Sequence, residues 1–424
     1  MTAEKLYKDV LKIFIFVLVF SGFITNYLFY TSSINTSTII IDVLYLILFL
    51  LYILFNIKFK NHTIRKQEVF IVILYVFIFI FGLVKIFIDN NALLERISGF
   101  RNYFIYISIF ILVSNLRKTK NYIELINTII NFSYIIFIFS ILQFVLKDYL
   151  PDRLMRLKGE GIYTYQTVDI LRANGLLGHP VIFGGFCVMI FILSANLYIQ
   201  YKNKKYFVLS LIAILATFAS SSRLSIIGIL ISILLIMILN NTDWIKIFFK
   251  IFCISFIFMI VLYIIYRLYP NLYIFNIFLA KDEYVQGSNM VHLQQVYSAI
   301  EYIKKNVLFG IGLGSQGISA KHVAIISDGT WFQNLLELGL PLFIMYIFLY
   351  IVCIKYVIVL IKKIDNKFVK SLGRTFIIIS IYFMYSNFVN SSFLARICYI
   401  LYWSLFGILI GYEKSIHKNI FTKF

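Results

Sequence analysis

Residues Val69–Ile88 read VFIVILYVFIFIFGLVKIFI, and this stretch decides the fold class. About 20 apolar residues are what an α-helix needs to cross roughly 30 Å of hydrocarbon. Two runs of the same kind precede it, Ile13–Tyr30 and Ile39–Ile57. A bilayer core holds no water for a bare backbone, so only helices and closed barrels cross it. Barrel strands alternate polar and apolar positions, whereas these runs are continuously apolar, which excludes a barrel. The composition agrees. Of 424 residues, 61% are hydrophobic and 14% charged, with a mean hydropathy of +0.90; a soluble domain has about 45–50% and about 25%. Aromatic residues make up 18%, mostly Phe and Tyr, which suits lipid-facing and interfacial surfaces.

Outward from that stretch, apolar blocks place about twelve spans, at 11–31, 38–57, 68–88, 98–116, 123–146, 178–200, 205–221, 223–240, 246–268, 336–361, 371–391 and 394–412. The expected fold is all-α, one polytopic bundle of transmembrane helices occupying 1–424. The first block is too long for a signal-peptide core and lacks a cleavage site, so it reads as a retained span. Loops after even-numbered spans are basic, from Lys58 and Arg65 through Lys118, Lys204 and Lys205 to Lys362 and Lys370. The positive-inside rule puts them, and both termini, in the cytoplasm. Loop lysine also accounts for most of the net charge of +20. Nucleic-acid binding is a poor alternative, because the basic residues lie between spans instead of on one soluble face. Cys187, Cys253, Cys353 and Cys398 all fall inside spans and read as small apolar residues, with no disulfide framework or metal site among them.

Two long external segments follow from this topology, 147–177 and 269–337, the latter between the ninth and tenth spans. Within the second, Met290, Leu293, Val296, Tyr297, Ile300 and Ile303 recur at helical spacing, with Ser288 or Asn289 as a cap. They predict an amphipathic helix on the outer leaflet or over the bundle, whose simplest role is that of a lid.

Lysine dominates the inside, while arginine collects outside: Arg96, Arg101, Arg153, Arg156, Arg172, Arg223, Arg267 and Arg396. A guanidinium presents a fixed fork of donors that matches phosphate oxygens two at a time. Arg96, Arg101, Arg267 and Arg396 read as side chains snorkelling toward headgroups. Arg172 and Arg223 read as functional from their contexts. RANGLLGHP (172–180) brings an irregular, glycine-containing approach to a helix start, where free amides suit an anion. SSSR (220–223) sets hydroxyls and a guanidinium at the tip of a tight hairpin between the seventh and eighth spans. A third stretch, FGIGLG (309–314), precedes DGTWFQNLLELG (328–339). The glycine run lacks the preceding strand that a nucleotide loop needs.

In this order and spacing the three stretches resemble the O-antigen ligase and polymerase family, over roughly residues 170–345. That family typically shows Arg-x-x-Gly, then a Ser-Arg hairpin, a Gly-x-Gly run, and a His-Asn-x-Tyr-Leu-Gln-Leu-Leu-x-Glu-x-Gly pattern closing a large external loop. The resemblance implies a metal-independent, GT-C-like membrane glycosyltransferase without a cofactor. It would move an oligosaccharide from undecaprenyl pyrophosphate to a hydroxyl on the outer side of the inner membrane, in O-antigen, lipopolysaccharide or capsule assembly. A flippase and a chain-length regulator would be its partners besides the membrane lipids. Carried over, Arg172 and Arg223 hold the pyrophosphate. Asp328, followed by Gly329, stands where ligases of the family have histidine, a departure that favours a polymerase.

Direct attack by a sugar hydroxyl needs a proton acceptor, and Asp328 or His322 is expected to serve. Asp328 has a second reading as the cap of the helix starting near Thr330, and His322 as an ordinary loop residue. His179, Ser222, Trp331 and Glu337 are candidate substrate contacts. Packing for His179, interfacial anchoring for Trp331 and helix orientation for Glu337 are the alternatives. His292 reads as structural. A protein O-oligosaccharyltransferase or ligase shares the chemistry with another acceptor. A lipid-linked oligosaccharide flippase is the rival of another class; it fits the span count, but no internal repeat or midplane charge supports it.

Overall fold

The computed structural model describes residues 3–25, 36–58, 66–116, 118–147, 149–151, 154, 164–165, 170–240, 263, 267–268, 283–316, 325–326 and 328–421. Among them run α1 (Ala3–Val19), α2 (Thr36–Lys58), α3 (Lys66–Ile88), α4 (Leu93–Val113), α5 (Thr119–Val145), α6 (Pro180–Tyr201), α7 (Lys204–Ser220) and α8 (Arg223–Asn240). Then come α9 (Glu283–Lys305), α10 (Thr330–Leu338), α11 (Leu340–Lys363), α12 (Lys367–Ser386) and α13 (Arg396–Phe421). The fold is an all-α polytopic bundle. Among the described residues eight helices, α2 to α6, α8, α11 and α12, are long and apolar enough to cross a membrane. Eleven of the expected spans coincide with helices among the described residues. The ninth, 246–268, lies almost wholly outside them.

Several boundaries differ from expectation. The first helix begins at Ala3 instead of residue 11, because Lys5 and Lys8 extend its turns beyond the apolar run. The fourth begins at Leu93 instead of 98 and changes pitch midway, with a π turn over Arg101–Ile105 and a 3-10 turn over Tyr106–Ser108. The external segment 147–177 contains two paired two-residue strands, β1 (Thr164–Tyr165) and β2 (Ile170–Leu171), which the apolar pattern gave no reason to expect.

Local chemistry sets the helix ends. Asn203 and Asn366 cap α7 and α12, accepting from Lys205 N and from Phe368 N with Val369 N; such caps satisfy first-turn amides that have no partner of their own. Burial then sorts the bundle. Over an 18-residue stretch of α6, 78% of residues are buried, against 28% over such a stretch of α3, although α3 is the more apolar. Lipid is as apolar as leucine, so apolarity does not drive a helix inward; close packing and hydrogen bonding do. Accordingly the inner helices carry hydroxyls. Ser371, Thr375 and Ser380 of α12 donate to backbone carbonyls one turn earlier, and Ser380 also meets the Tyr402 hydroxyl at 2.9 Å. Around α13 the rings of Tyr350, Phe376, Tyr402, Trp403 and Phe406 form a continuous aromatic core. The described cysteines, Cys187, Cys353 and Cys398, are free and buried.

The expected loop helix forms as α9, starting five or more residues before the anticipated cap. Its inward stripe is Val296, Ala299 and Ile303, packed against Ile326, Leu336 and Phe332. Met290, Leu293 and Tyr297, expected on the same stripe, are exposed. The helix therefore lies on α10 by one face only.

Candidate functional site

The segment 172–179 is irregular but firmly held. Gly175, Leu176 and Gly178 have φ of 56°, 65° and 93°. Gln143, fully buried in α5, accepts from the amides of Asn174 and Gly175 at 3.2 and 3.1 Å, and its side-chain nitrogen donates to Asn174 Oδ1 at 3.0 Å. His179 caps α6, its Nδ1 accepting from Val181 N at 3.2 Å, with Pro180 in the first turn. Burial first, and then the neighbouring Arg172 guanidinium, push His179 down to about 4. It is thus neutral at physiological pH, as an accepting Nδ1 requires. The packing reading of His179 is the one its geometry supports.

This segment meets the hairpin directly. Ala173 N donates to Ala219 O at 2.9 Å, one residue before SSSR (220–223). Ser221 adopts a left-handed φ of 52° and Arg223 opens α8. Ser222, 4% exposed, shares a hydrogen bond with Ser225 at 2.9 Å. Both serines pack on Gly184 of α6, where a Cβ would lie 3.0 Å from Ser222 Cβ. The hydrogen bond between the two segments therefore sets Arg172 and Arg223 on neighbouring backbone at one end of the bundle, while Ser222 is turned inward and committed to Ser225.

The α12–α13 connection joins this end to α10. Gly185 of α6 packs on Ser392. Ser392 N and Oγ donate to Asn390 Oδ1, and the Asn390 carbonyl accepts from Thr330 N and Thr330 Oγ1 at 3.2 and 3.1 Å. Trp331 N donates to Asn387 O. The first amides of α10 are thus already satisfied by protein. The indole of Trp331 donates to Met384 O at 2.8 Å and meets the Phe343 ring edge-on, which anchors it within the protein.

Asp328 does not cap α10. The cap position belongs to Gly329 (φ 90°), which makes no side-chain cap bond. Asp328 instead faces His292 of α9, with Oδ2 3.6 Å from Nδ1. Burial raises the Asp328 carboxyl above its ordinary range, and His292 pulls it back down. His292 is the partner that sequence reading missed. The two residues are 36 positions apart, and only the docking of α9 on α10 brings them together. His322 lies outside the described residues.

Glu337 is not disposed toward a ligand. It is 2% exposed, accepting from Gly314 N at 2.9 Å and Gln316 N at 2.7 Å. Burial pushes its carboxyl up to about 8 against the pull of those amides. The glycine run is the other half of this clamp. Gly310, Gly312 and Gly314 have φ of 67°, 106° and 72°, a region that side chains disfavour. Ile311 N donates to Leu336 O, and Leu313 N to Asp89 Oδ2 at 2.7 Å. The run therefore fastens α10 to the α3–α4 turn, which is a structural role.

Arg96 and Arg101 have protein partners in place of headgroups, and Arg153 and Arg156 lie outside the described residues. Arg96 donates to Ile86 O and Asp89 O at the end of α3. Arg101 pairs with Asp42 at 2.8 Å, and Tyr106 donates to the other oxygen of that carboxylate. Arg396 lies close enough to Tyr106, Arg101 and Asp42 to interact electrostatically with all three. Arg267 is exposed.

No curated protein matches the chain. One family model does match: residues 208–347 fit the O-antigen ligase family. The matched stretch takes in Arg223, His292, Asp328 and Glu337 and leaves Arg172 and His179 outside. Over that stretch the chain is similar to membrane enzymes of the O-antigen ligase and polymerase type.

Proposed function

We propose that the protein is a polysaccharide polymerase. It transfers an oligosaccharide from undecaprenyl pyrophosphate to the hydroxyl of a lipid-linked acceptor repeat, with inversion and without a metal, at the outer face of a bacterial inner membrane. The observation that carries this reading is the hydrogen bond from Ala173 N to Ala219 O, which puts the Arg172 and Arg223 segments side by side. Two forked guanidiniums on adjacent backbone match the oxygens of one diphosphate.

In the proposed step the acceptor oxygen attacks the anomeric carbon. The bond from that carbon to the diphosphate oxygen breaks, and its electron pair leaves with the diphosphate. Arg172 and Arg223 stabilise the charge gathering there, an effect whose loss typically costs about 100–1,000-fold per donor. The hydroxyl proton passes to Asp328, which His292 orients from α9 at 3.6 Å. General-base assistance of this kind typically contributes about 100-fold or more. His179 and Glu337 act on the scaffold: one starts α6 and the other clamps the glycine run. The GT-C-like arrangement and partnership with a flippase and a chain-length regulator belong to the same proposal.

The test is incubation of the purified full-length protein, in proteoliposomes, with an undecaprenyl-pyrophosphate-linked repeat. A ladder of longer lipid-linked chains is the expected product. A single transfer to a core lipid or protein acceptor would make it a ligase, and translocation without new glycosidic bonds a transporter.

A further inference from the structure

One cavity is lined by no residue of the two arginine segments. It encloses about 560 Å³ between α2, α3, α4 and α13, within the roughly 300–1,000 Å³ of small-molecule sites. Its residues come from the second half of α2, the first turns of α3, the end of α4 and the last turns of α13. All four place it toward the end of the bundle that carries Lys118, Lys204, Lys205, Lys362 and Lys370.

The walls are apolar, formed by Tyr52, Ile71, Val72, Phe110 and Ile410 among others. The floor is polar. Lys414 Nζ lies 2.7 Å from Glu68 Oε2, and the Tyr356 hydroxyl lies 3.4 Å from the other Glu68 oxygen. Asn115 also lines the cavity; it is 5% exposed, and its side-chain nitrogen meets no acceptor among the described residues. Burial keeps water from such a donor, so leaving its hydrogen bond unmade is costly. The cavity thus suits a molecule with a long apolar chain that presents oxygen acceptors at the Asn115 end. The basic residues at that end suit a negative headgroup.

We infer that this cavity binds one acyl chain of an anionic glycerophospholipid from the leaflet facing the lysine-rich loops. Asn115 donates to the ester carbonyl, and Lys414 faces the phosphate. The site goes beyond the transfer reaction and shares no residue with it.

The experiment uses the full-length protein in phosphatidylglycerol nanodiscs doped with phosphatidylglycerol bearing a diazirine on its acyl chain. Crosslinks are located by peptide mass spectrometry. Labelling is expected to concentrate at Tyr52 and Ile111 over the outward-facing Phe77 of α3. It should fall about fivefold in Asn115→Leu, the loss of one net hydrogen bond, and disappear in Val72→Trp, which fills the space. Asn115→Leu is close in shape to the native residue and carries the test alone if Val72→Trp does not fold. Labelling at Tyr52 and Ile111 no greater than at Phe77, or unchanged in Asn115→Leu, would overturn the assignment. So would displacement of the label by undecaprenyl phosphate, which would give the cavity to a polyprenyl chain.

Discussion

Replacing Gly314 by alanine should loosen the whole external end of the protein. Gly314 has φ 72°, and a Cβ there would lie 2.6 Å from the Glu95 carbonyl carbon and 3.1 Å from its Cα. The obstacle is helix backbone, which does not swing aside as a side chain does. A left-handed alanine costs about 1–2 kcal/mol, and forcing an extra carbon into packed surroundings adds about 1–3 kcal/mol. Any shift also lengthens the bond from Gly314 N to the buried Glu337 carboxylate. We expect a loss of about 4 kcal/mol from these effects together. At about 2.1 cal/mol/K of unfolding entropy per residue, that corresponds to about 4–5 °C in apparent melting temperature for a chain of this size. Cys187, Cys353 and Cys398 are buried and free, so a thiol-reactive fluorophore reports opening of the bundle in detergent. Gly287→Ala is the control. It lies in α9 with nothing within 4 Å of its would-be Cβ, and alanine there should gain up to about 1 kcal/mol of helix preference. A Gly314→Ala protein melting within about 1 °C of the parent would refute the clamp, since that is under about 1 kcal/mol.

Asp328→Asn should lower polymer formation about 100-fold or more while leaving membrane accumulation intact. His292→Ala removes the group that holds the Asp328 carboxyl down, so the acid limb of the pH–rate profile should move to higher pH; an unmoved limb would detach His292 from the site. His179 is depressed to about 4 in the fold from an ordinary 6.5. Its contribution to stability is therefore complete above pH 6.5 and lost as pH falls toward 4, by about 3 kcal/mol at most. His179→Asn keeps a cap acceptor that does not titrate. Melting temperatures in that variant should lose much of this acid slope, and retention of the full slope would place its origin elsewhere.

The fold class was legible because twenty-residue apolar runs have one structural solution in a bilayer. The hairpin at SSSR was legible for a similar reason, since two spans without a loop between them must turn there. Which helices lie inside was not legible. α3 and α6 are both apolar, and only small residues such as Gly184 and hydroxyls such as Ser380 mark the inner faces. That the Arg172 and Arg223 segments share a backbone hydrogen bond, from Ala173 N to Ala219 O, was not legible in either context alone. Asp328 was misread as a cap alternative because its pattern is that of a helix start; Gly329 takes that position instead. Glu337 and the glycine run appeared as separate motifs, and only the fold shows them to be two halves of one clamp. Gln143 carried a usable signal that was passed over: an amide near the end of an apolar span, fully buried, needs a partner, and its partner is the 174–175 backbone.

The most direct measurement of the central claim is binding of undecaprenyl pyrophosphate to the parent, Arg172→Lys, Arg223→Lys and the double variant in nanodiscs. Lysine keeps the charge and loses the fork, so each single change should weaken binding about tenfold. If both guanidiniums grip one diphosphate, the double variant should depart clearly from the product of the single effects, as sites sharing a partner do. Binding at the parent's strength in both single variants, or strictly multiplicative losses in the double, would contradict the shared grip.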